Sequence, residues 1–212
     1  KTPIFSIQGY ILTLLEGGLE DDNINQKFLE RASISTDRIV GILDDLDNIT
    51  KMEDEKFQLK MESFDIVALA KETFESLELM AQEKQIVFSL EDPGEPTFVV
   101  ADREKISQVL TNLVRNSIAY GNKDGSTTIT IFNIDDLTTI EVSDNGIGIE
   151  QSELSRLFER FYRVEKSRNR NEGGSGLGLS IIKHIIESHN QKISVKSQPE
   201  KGSRFYFSLD KN

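Results

Sequence analysis

The sequence has no cysteine among its 212 residues, so disulfides and thiolate metal sites are excluded, in keeping with a reducing compartment. It is also short of positive charge: 25 Lys and Arg stand against 36 Asp and Glu, a net charge of -11. That balance excludes non-specific nucleic-acid binding, which needs a positive field. A polyanionic ligand would have to rely on local cations or a divalent ion. No apolar run approaches the roughly 20 residues of a membrane span, and no signal peptide, internal repeat or low-complexity segment stands out. What is present is a 37% share of hydrophobic residues, enough to pack a core. A mass of 24.0 kDa suits one large domain or two modest ones.

The first quarter of the chain carries a helical period. Ile4, Ile7, Ile11 and Leu14 step by three and four. Pro3 suits either a first helical turn or a kinked helix that continues upstream. Lys1-Thr2-Pro3-Ile4 reads as the inside of a helix, which predicts that the chain is part of something longer. Gly17-Gly18 ends this helix, and a second one is expected from Ile24 to Met52. Its seam of Phe28, Ala32, Ser35, Ile39, Ile42, Leu46 and Ile49 alternates four and three. Sustained spacing of this kind predicts a coiled-coil-like hairpin. One hairpin cannot bury such a stripe alone. Two can pair into a four-helix bundle, giving a homodimer through residues 1–55, or the hairpin can pack on its own second domain.

After the acidic boundary Glu53-Asp54-Glu55 the pattern becomes mixed. Strands are expected at Phe57–Met61, Ile86–Leu90, Thr97–Ala101, Thr127–Ile134, Thr139–Ser143, Lys192–Ser197 and Ser203–Leu209. Asp65 and Asp102 are placed to cap helices running to Lys84 and Tyr120. Strands and helices mix without strict alternation, which predicts an α+β two-layer sandwich over residues 56–212.

The stretch from Asp144 to Ile182 organises this second domain. Asp144-x-Gly146-x-Gly148 follows an apolar strand, and a short amphipathic helix rich in Phe and Arg is expected next. A polar, basic run leads to Gly174-x-Gly176-x-Gly178, which opens a further helix. Glycines here allow positive φ and close approach to a ligand. A glycine turn entering a helix offers free N–H groups to phosphate. A carboxylate cannot face phosphate, so Asp144 suits the amine of a base. Upstream, Asn112 and Asn116 lie four apart on one helical face, and an amide oxygen is a suitable hard ligand for Mg²⁺. The three motifs in this order, with Phe158-Glu159-Arg160-Phe161-Tyr162-Arg163 between the last two, point to ATP with Mg²⁺.

Over its whole length the chain resembles the transmitter region of bacterial sensor histidine kinases of two-component systems. Residues 1–55 resemble the dimerisation and phosphotransfer hairpin, and residues 56–212 a Bergerat-type ATP-binding domain of the gyrase–chaperone–kinase–mismatch-repair superfamily. The resemblance implies that Asn116 coordinates Mg²⁺ and Asn112 supports the phosphate side. It implies that Asp144, Gly146 and Gly148 form the adenine end, with Tyr120 near the adenosine. Arg163 would reach the γ-phosphate, and Gly174, Gly176, Leu177 and Gly178 would lie along the phosphates. Val164 to Gly173 would be a lid, with Lys166, Arg168 and Arg170 as contacts or as a solvated loop. Partners implied are a second copy and the receiver domain of a response regulator, with no direct membrane contact by this segment. The segment would be cytoplasmic, and its parent anchored in the inner membrane.

Departures from the family pattern are specific. Lys1-Thr2-Pro3 matches the end of the family's His-Glu-x-x-Thr-Pro motif, which puts the phosphoacceptor His three residues before Lys1. Thr2 would then orient water for dephosphorylating a partner. His184 and His189 are too far along the chain to substitute and read as helix residues. Ala119 stands where many members have a phosphate-contacting Lys, Ser117 replaces the usual Ala, and His189-Asn190-Gln191 replaces a His-Gly-Gly turn. Hydrolysing relatives place a Glu at the position of Asn112, and an amide has no basic character at neutral pH. The reading is therefore a protein-histidine kinase, with a phosphatase, scaffold or pseudokinase as the alternative.

Overall fold

Helix α1 (Thr2–Leu15) turns back through a single 3-10 turn at Gly18–Glu20 into the long helix α2 (Asp22–Met52). The structure is a computed structural model and describes residues 2–52, 58–164 and 175–212. Gly17 makes the reversal at a φ of +113°, a backbone region closed to most side chains. Tyr10 stacks on Phe28 with ring centres 5.5 Å apart, and Leu14 is buried. The two helices thereby close on each other as a hairpin.

The rest is a sheet with helices on one face. In chain order the elements are β1 (Met61–Asp65), α3 (Ile66–Glu83), β2 (Val87–Glu91), β3 (Phe98–Asp102), α4 (Arg103–Tyr120), β4 (Ser126–Ile134), β5 (Leu137–Asp144), α5 (Gly178–Ser188), β6 (Ser194–Gln198) and β7 (Gly202–Lys211). The strand order is β1-β3-β7-β5-β4-β2, with β6 also paired to β7. Among the described strands only β2 and β4 pair in parallel. Alternation decides the two faces. Val99, Ile129, Ile131, Ile140, Val142, Phe205, Phe207 and Leu209 point inward and are buried. They meet Leu69, Ile106, Leu110, Leu113, Ile181 and Ile185 of the three helices in one core. Phe132, Glu141, Arg204 and Tyr206 lie on the other face, the first of them 38% exposed. The result is a helical hairpin followed by a two-layer α+β sandwich.

Two aspartates start helices and also tie distant strands. Asp65 Oδ1 accepts from the N–H groups of Val67 and Thr97, both at 3.0 Å. Asp102 accepts from Lys105 N at 3.1 Å through Oδ1 and from Lys60 N at 2.9 Å through Oδ2. Behind it, His189 Nε2 accepts the Asp102 N–H at 3.0 Å, while His189 Nδ1 donates to the carbonyl of Ile185 at 2.8 Å. Both ring nitrogens are committed, so this buried histidine is a brace. The residue after it, Asn190, sits at φ +58°. Asparagine tolerates that conformation, so it fills a turn position that otherwise suits glycine.

Two expectations are corrected. The first strand spans Met61–Asp65 instead of Phe57–Met61, because Phe64 is the side chain that buries beside Val99 in the register with β3; Phe57 lies outside the described residues. The helix expected between the glycine motifs is only a 3-10 turn at Leu154–Arg156. Phe161 breaks it, held at φ +62° with its N–H donated to Gly176 O at 2.9 Å. The apolar seam of α2 is shared. Ile42 and Ile49 pack into the core of the chain's own α/β unit, one of the two coverings expected, and Phe28 is used inside the hairpin. Leu46 of the seam is exposed, as are Leu29 and Leu43 of α2 and Ile4, Ile11 and Leu15 of α1.

The brace is testable. Replacing His189 with Leu leaves the buried N–H of Asp102 without an acceptor and should lower stability by about 1–3 kcal/mol. A urea melt reads this directly; an unchanged midpoint would show that the brace contributes nothing.

Candidate functional site

Strand β5 delivers Asp144 to the edge of the core, where the chain turns sharply. Asp144 Oδ1 accepts from Gly146 N at 2.8 Å and from Ser203 N at 3.3 Å, while Oδ2 accepts nothing from the described residues. Burial raises the pKa of this carboxyl above its ordinary 3.8, partly opposed by the N–H groups of Gly146 and Ser203. The turn is crowded by backbone. A Cβ on Gly146 would lie 2.3 Å from the carbonyl oxygen of Tyr120, and one on Gly148 would lie 2.0 Å from that of Gln198. Ile147 N donates to Tyr120 O at 3.2 Å, tying the turn to the end of α4. Tyr120, Asp144 and Gly146 are thus brought together, with Gly148 held against the β6–β7 turn.

The second glycine motif is built against the Phe-rich segment. Gly176 has φ +76°, and a Cβ there would meet the Phe161 backbone at 3.0 Å. Leu177 is buried and starts α5, while a Cβ on Gly178 would meet nothing within 4 Å. Among the described residues nothing covers Gly178, so the amino end of α5 turns its dipole and N–H groups toward an anion, with the Leu177 N–H held by Ser175 Oγ at 3.1 Å. Nearby, the Tyr162 hydroxyl donates to Glu153, and the Arg156 guanidinium lies 4.3 Å above the Tyr162 ring. Burial, and next the positive charge of Arg163, lower the pKa of Arg38 on α2.

Helix α4 runs between the two glycine motifs. Its inner face, including Leu110, Leu113, Val114 and Ile118, is buried. Asn112 and Asn116 are half-buried, and neither side-chain amide is hydrogen-bonded to a described residue. No cluster of three or more His, Asp or Glu suited to a metal occurs among the described residues. A hard cation would thus have an amide oxygen, water and the ligand's own oxygens, a set that suits Mg²⁺. The free Asp144 Oδ2, the unengaged Asn116 amide and the open end of α5 fit a Mg²⁺-bound nucleotide. The side chain of Thr2, and Gly174, Lys166, Arg168 and Arg170, lie outside the described residues.

Several contributors escaped the sequence reading. Gly202, at φ +94°, is required because a Cβ would lie 1.9 Å from Asp144 O; only its place after a polar turn hinted at this. Ser197 Oγ accepts from Ile149 N at 2.8 Å, and Asn122 Nδ2 donates to Asn145 O at 2.9 Å. Ser117 pairs its hydroxyl with that of Thr127 inside the core, which explains a serine at that position. Lys84 Nζ donates to Ala119 O at 2.8 Å, so a cation reaches the end of α4 from another part of the chain.

The family model described as "Histidine kinase-, DNA gyrase B-, and HSP90-like ATPase" matches residues 101–212. Sensor protein kinase WalK of Staphylococcus haemolyticus is 35% identical over 211 residues, 99% of this chain and 34% of that protein. Sensor histidine kinase WalK of Bacillus subtilis is 33% identical over 211 residues. The chain spans 34% of the length of each of these relatives. Among solved structures, histidine kinase ThkA in complex with response regulator protein TrrA matches with a TM-score of 0.81 at 27% identity, over 99% of this chain and 58% of that one. Acinetobacter baumannii histidine kinase AdeS matches at a TM-score of 0.78 and 24% identity, over 100% of this chain and 96% of that one, a likeness of fold.

Asp144 also makes a stability prediction. Its folded pKa is raised, so between the ordinary value and the raised one the folded chain holds a proton that the unfolded chain has lost. Stability should therefore fall as pH rises through that window. Asp144→Asn keeps the Oδ1 acceptor and carries no charge. Its melting temperature should exceed that of the parent chain above the window and equal it below. A variant less stable at neutral pH would contradict this.

Proposed function

The chain belongs to the histidine kinase-, DNA gyrase B- and HSP90-like ATPases and, among them, to the sensor histidine kinases, and from that premise we propose that it binds Mg·ATP and drives autophosphorylation of a histidine. The observation that carries this is the pairing of a half-buried, half-engaged Asp144 carboxylate with the open amino end of α5. One end accepts from an amine, the other donates to anions. Few ligands other than an adenine nucleotide need both.

In this reading Asp144 Oδ2 accepts from the adenine amine, and Gly146 leaves the base room beside Tyr120. Backbone N–H groups of Gly176, Leu177 and Gly178 donate to phosphate oxygens, with Gly174 and Gly148 allowing the adjoining turns. Asn116 holds Mg²⁺ through its amide oxygen and Asn112 supports the phosphates. When bound, Mg²⁺ supplies charge neutralisation at the β- and γ-phosphates. Arg163 stabilises charge on the γ-phosphoryl as its bond to the β-phosphate oxygen breaks. The new bond forms to an imidazole nitrogen of the histidine expected three residues before Lys1, and the imidazole gives up its proton. Asn112 carries no general-base function, so water is not activated there. Transfer to an aspartate of a response regulator follows, and Thr2 serves the reverse, dephosphorylating role. The TrrA complex of the relative ThkA supports a receiver-domain partner. Pairing of two hairpins through Ile4, Ile11, Leu15, Leu29, Leu43 and Leu46 accounts for their exposure. No helix among the described residues is long and apolar enough to cross a membrane.

The test uses γ-labelled ATP with Mg²⁺ on this chain and on one extended upstream through the expected histidine. Acid-labile, alkali-stable label should appear on the longer chain alone. Asn116→Ala in that chain should lower labelling at least about tenfold, the scale on which metal-site residues act. Label on neither chain despite nucleotide binding would overturn the kinase reading in favour of a phosphatase or scaffold.

A further inference from the structure

Helix α2 meets the α/β unit along one stripe. Arg38, Ile42, Asp45, Ile49 and Met52 recur at spacings of four, three, four and three and so share a face. Ile49 and Met52 are 2% and 5% exposed, and Ile42 packs beside them against the core. The carbonyl of Met52 meets His184 Nε2 of α5 at 3.2 Å. One residue of the stripe is negatively charged, and it faces the second glycine motif. Ser175 Oγ donates to Asp45 Oδ2 at 2.7 Å and accepts from Leu177 N at 3.1 Å.

That N–H is one of the backbone donors assigned above to phosphate. Here it is engaged by a hydroxyl whose own proton is drawn to a carboxylate. Hydrogen bonds to a charged acceptor are the stronger kind, so the chain from Leu177 through Ser175 to Asp45 is a firm arrangement. A triphosphate entering the same loop would compete for the Leu177 donor. It would also bring its negative charge toward Asp45 in a partly desolvated junction, where repulsion is poorly screened. At the other end of the stripe burial, and next the positive charge of Arg163, lower the pKa of Arg38. Asp45 is the charged anchor of the docked face.

We propose that Asp45 is a built-in competitor of the nucleotide, so that docking of the hairpin on the glycine motif and binding of the triphosphate oppose each other. This rests on the nucleotide reading above. Because such coupling is reciprocal, any movement that draws α2 away raises affinity for Mg·ATP, and Mg·ATP loosens the hairpin by the same factor. The hairpin would thereby control the site without touching the base.

The test is calorimetric titration of Mg·ATP into this chain, Asp45→Ala and Asp44→Ala. Asp44 is the exposed neighbour on α2 and removes the same unit of charge. Asp45→Ala should tighten binding about tenfold, the scale of a hydrogen bond to a charged group, while Asp44→Ala should change it less than about twofold, as an exposed charge does. Amide exchange across residues 42–52 should quicken with Mg·ATP in the parent chain and be already fast in Asp45→Ala. Unchanged or weaker binding by Asp45→Ala, or an equal gain from Asp44→Ala, would overturn the proposal and leave the nucleotide reading standing. Absence of Mg·ATP binding in all three would overturn both.

Discussion

Everything at the candidate site depends on how closely three pieces of backbone approach one another around Asp144. The end of α4, the turn after β5 and the start of β7 meet at distances that no Cβ allows. A methyl at Gly146, Gly148 or Gly202 would fall 2.3, 2.0 or 1.9 Å from a carbonyl oxygen. Close approach of this kind excludes side chains and walls the Asp144 carboxylate with main chain. Burial raises the pKa of Asp144, so the fold pays to keep the charge there. Such a cost is what a recognition group carries when its proper partner is a ligand.

The second organising fact is that α2 serves two masters. Its row of Leu29, Leu43 and Leu46 is left exposed, while Ile42, Ile49 and Met52 are covered by the α/β unit. In the proposed dimer, such a helix would present one face to a second copy and another to its own α/β unit, and so convert a rotation into a change at the glycine motif. Among the described residues, polar contacts along the junction include Ser175 with Asp45 and His184 with Met52.

Much of this was legible in the residues. Asp65 and Asp102 stood where helices begin, and both cap. The period of α2 and the alternation of β4, β5 and β7 gave the hairpin and the sandwich. What escaped was tertiary. Nothing local marks Phe64 over Phe57 as the residue that buries, so the first strand was read early. Nothing local reveals that Phe161 adopts a left-handed conformation against Gly176, so a helix was expected there. The seam of α2 leaves two coverings open, a second copy or the chain's own second domain, because periodicity shows that a face is apolar and not what covers it. Gly202 and Ser203 belong to the site although they lie almost sixty residues beyond Asp144. Only the pairing of β5 with β7 brings them there.

The central claim is that Asp144 reads an adenine amine at one end of a main-chain cleft and the amino end of α5 reads phosphate at the other. Competition calorimetry with Mg·ATP and Mg·GTP tests it most directly, because guanine presents a carbonyl where adenine presents its amine. A site built to accept from that amine rejects the carbonyl strongly, since two acceptors are then left facing each other. The account predicts measurable binding of Mg·ATP and at least about tenfold weaker binding of Mg·GTP. Equal affinity for the two would contradict it.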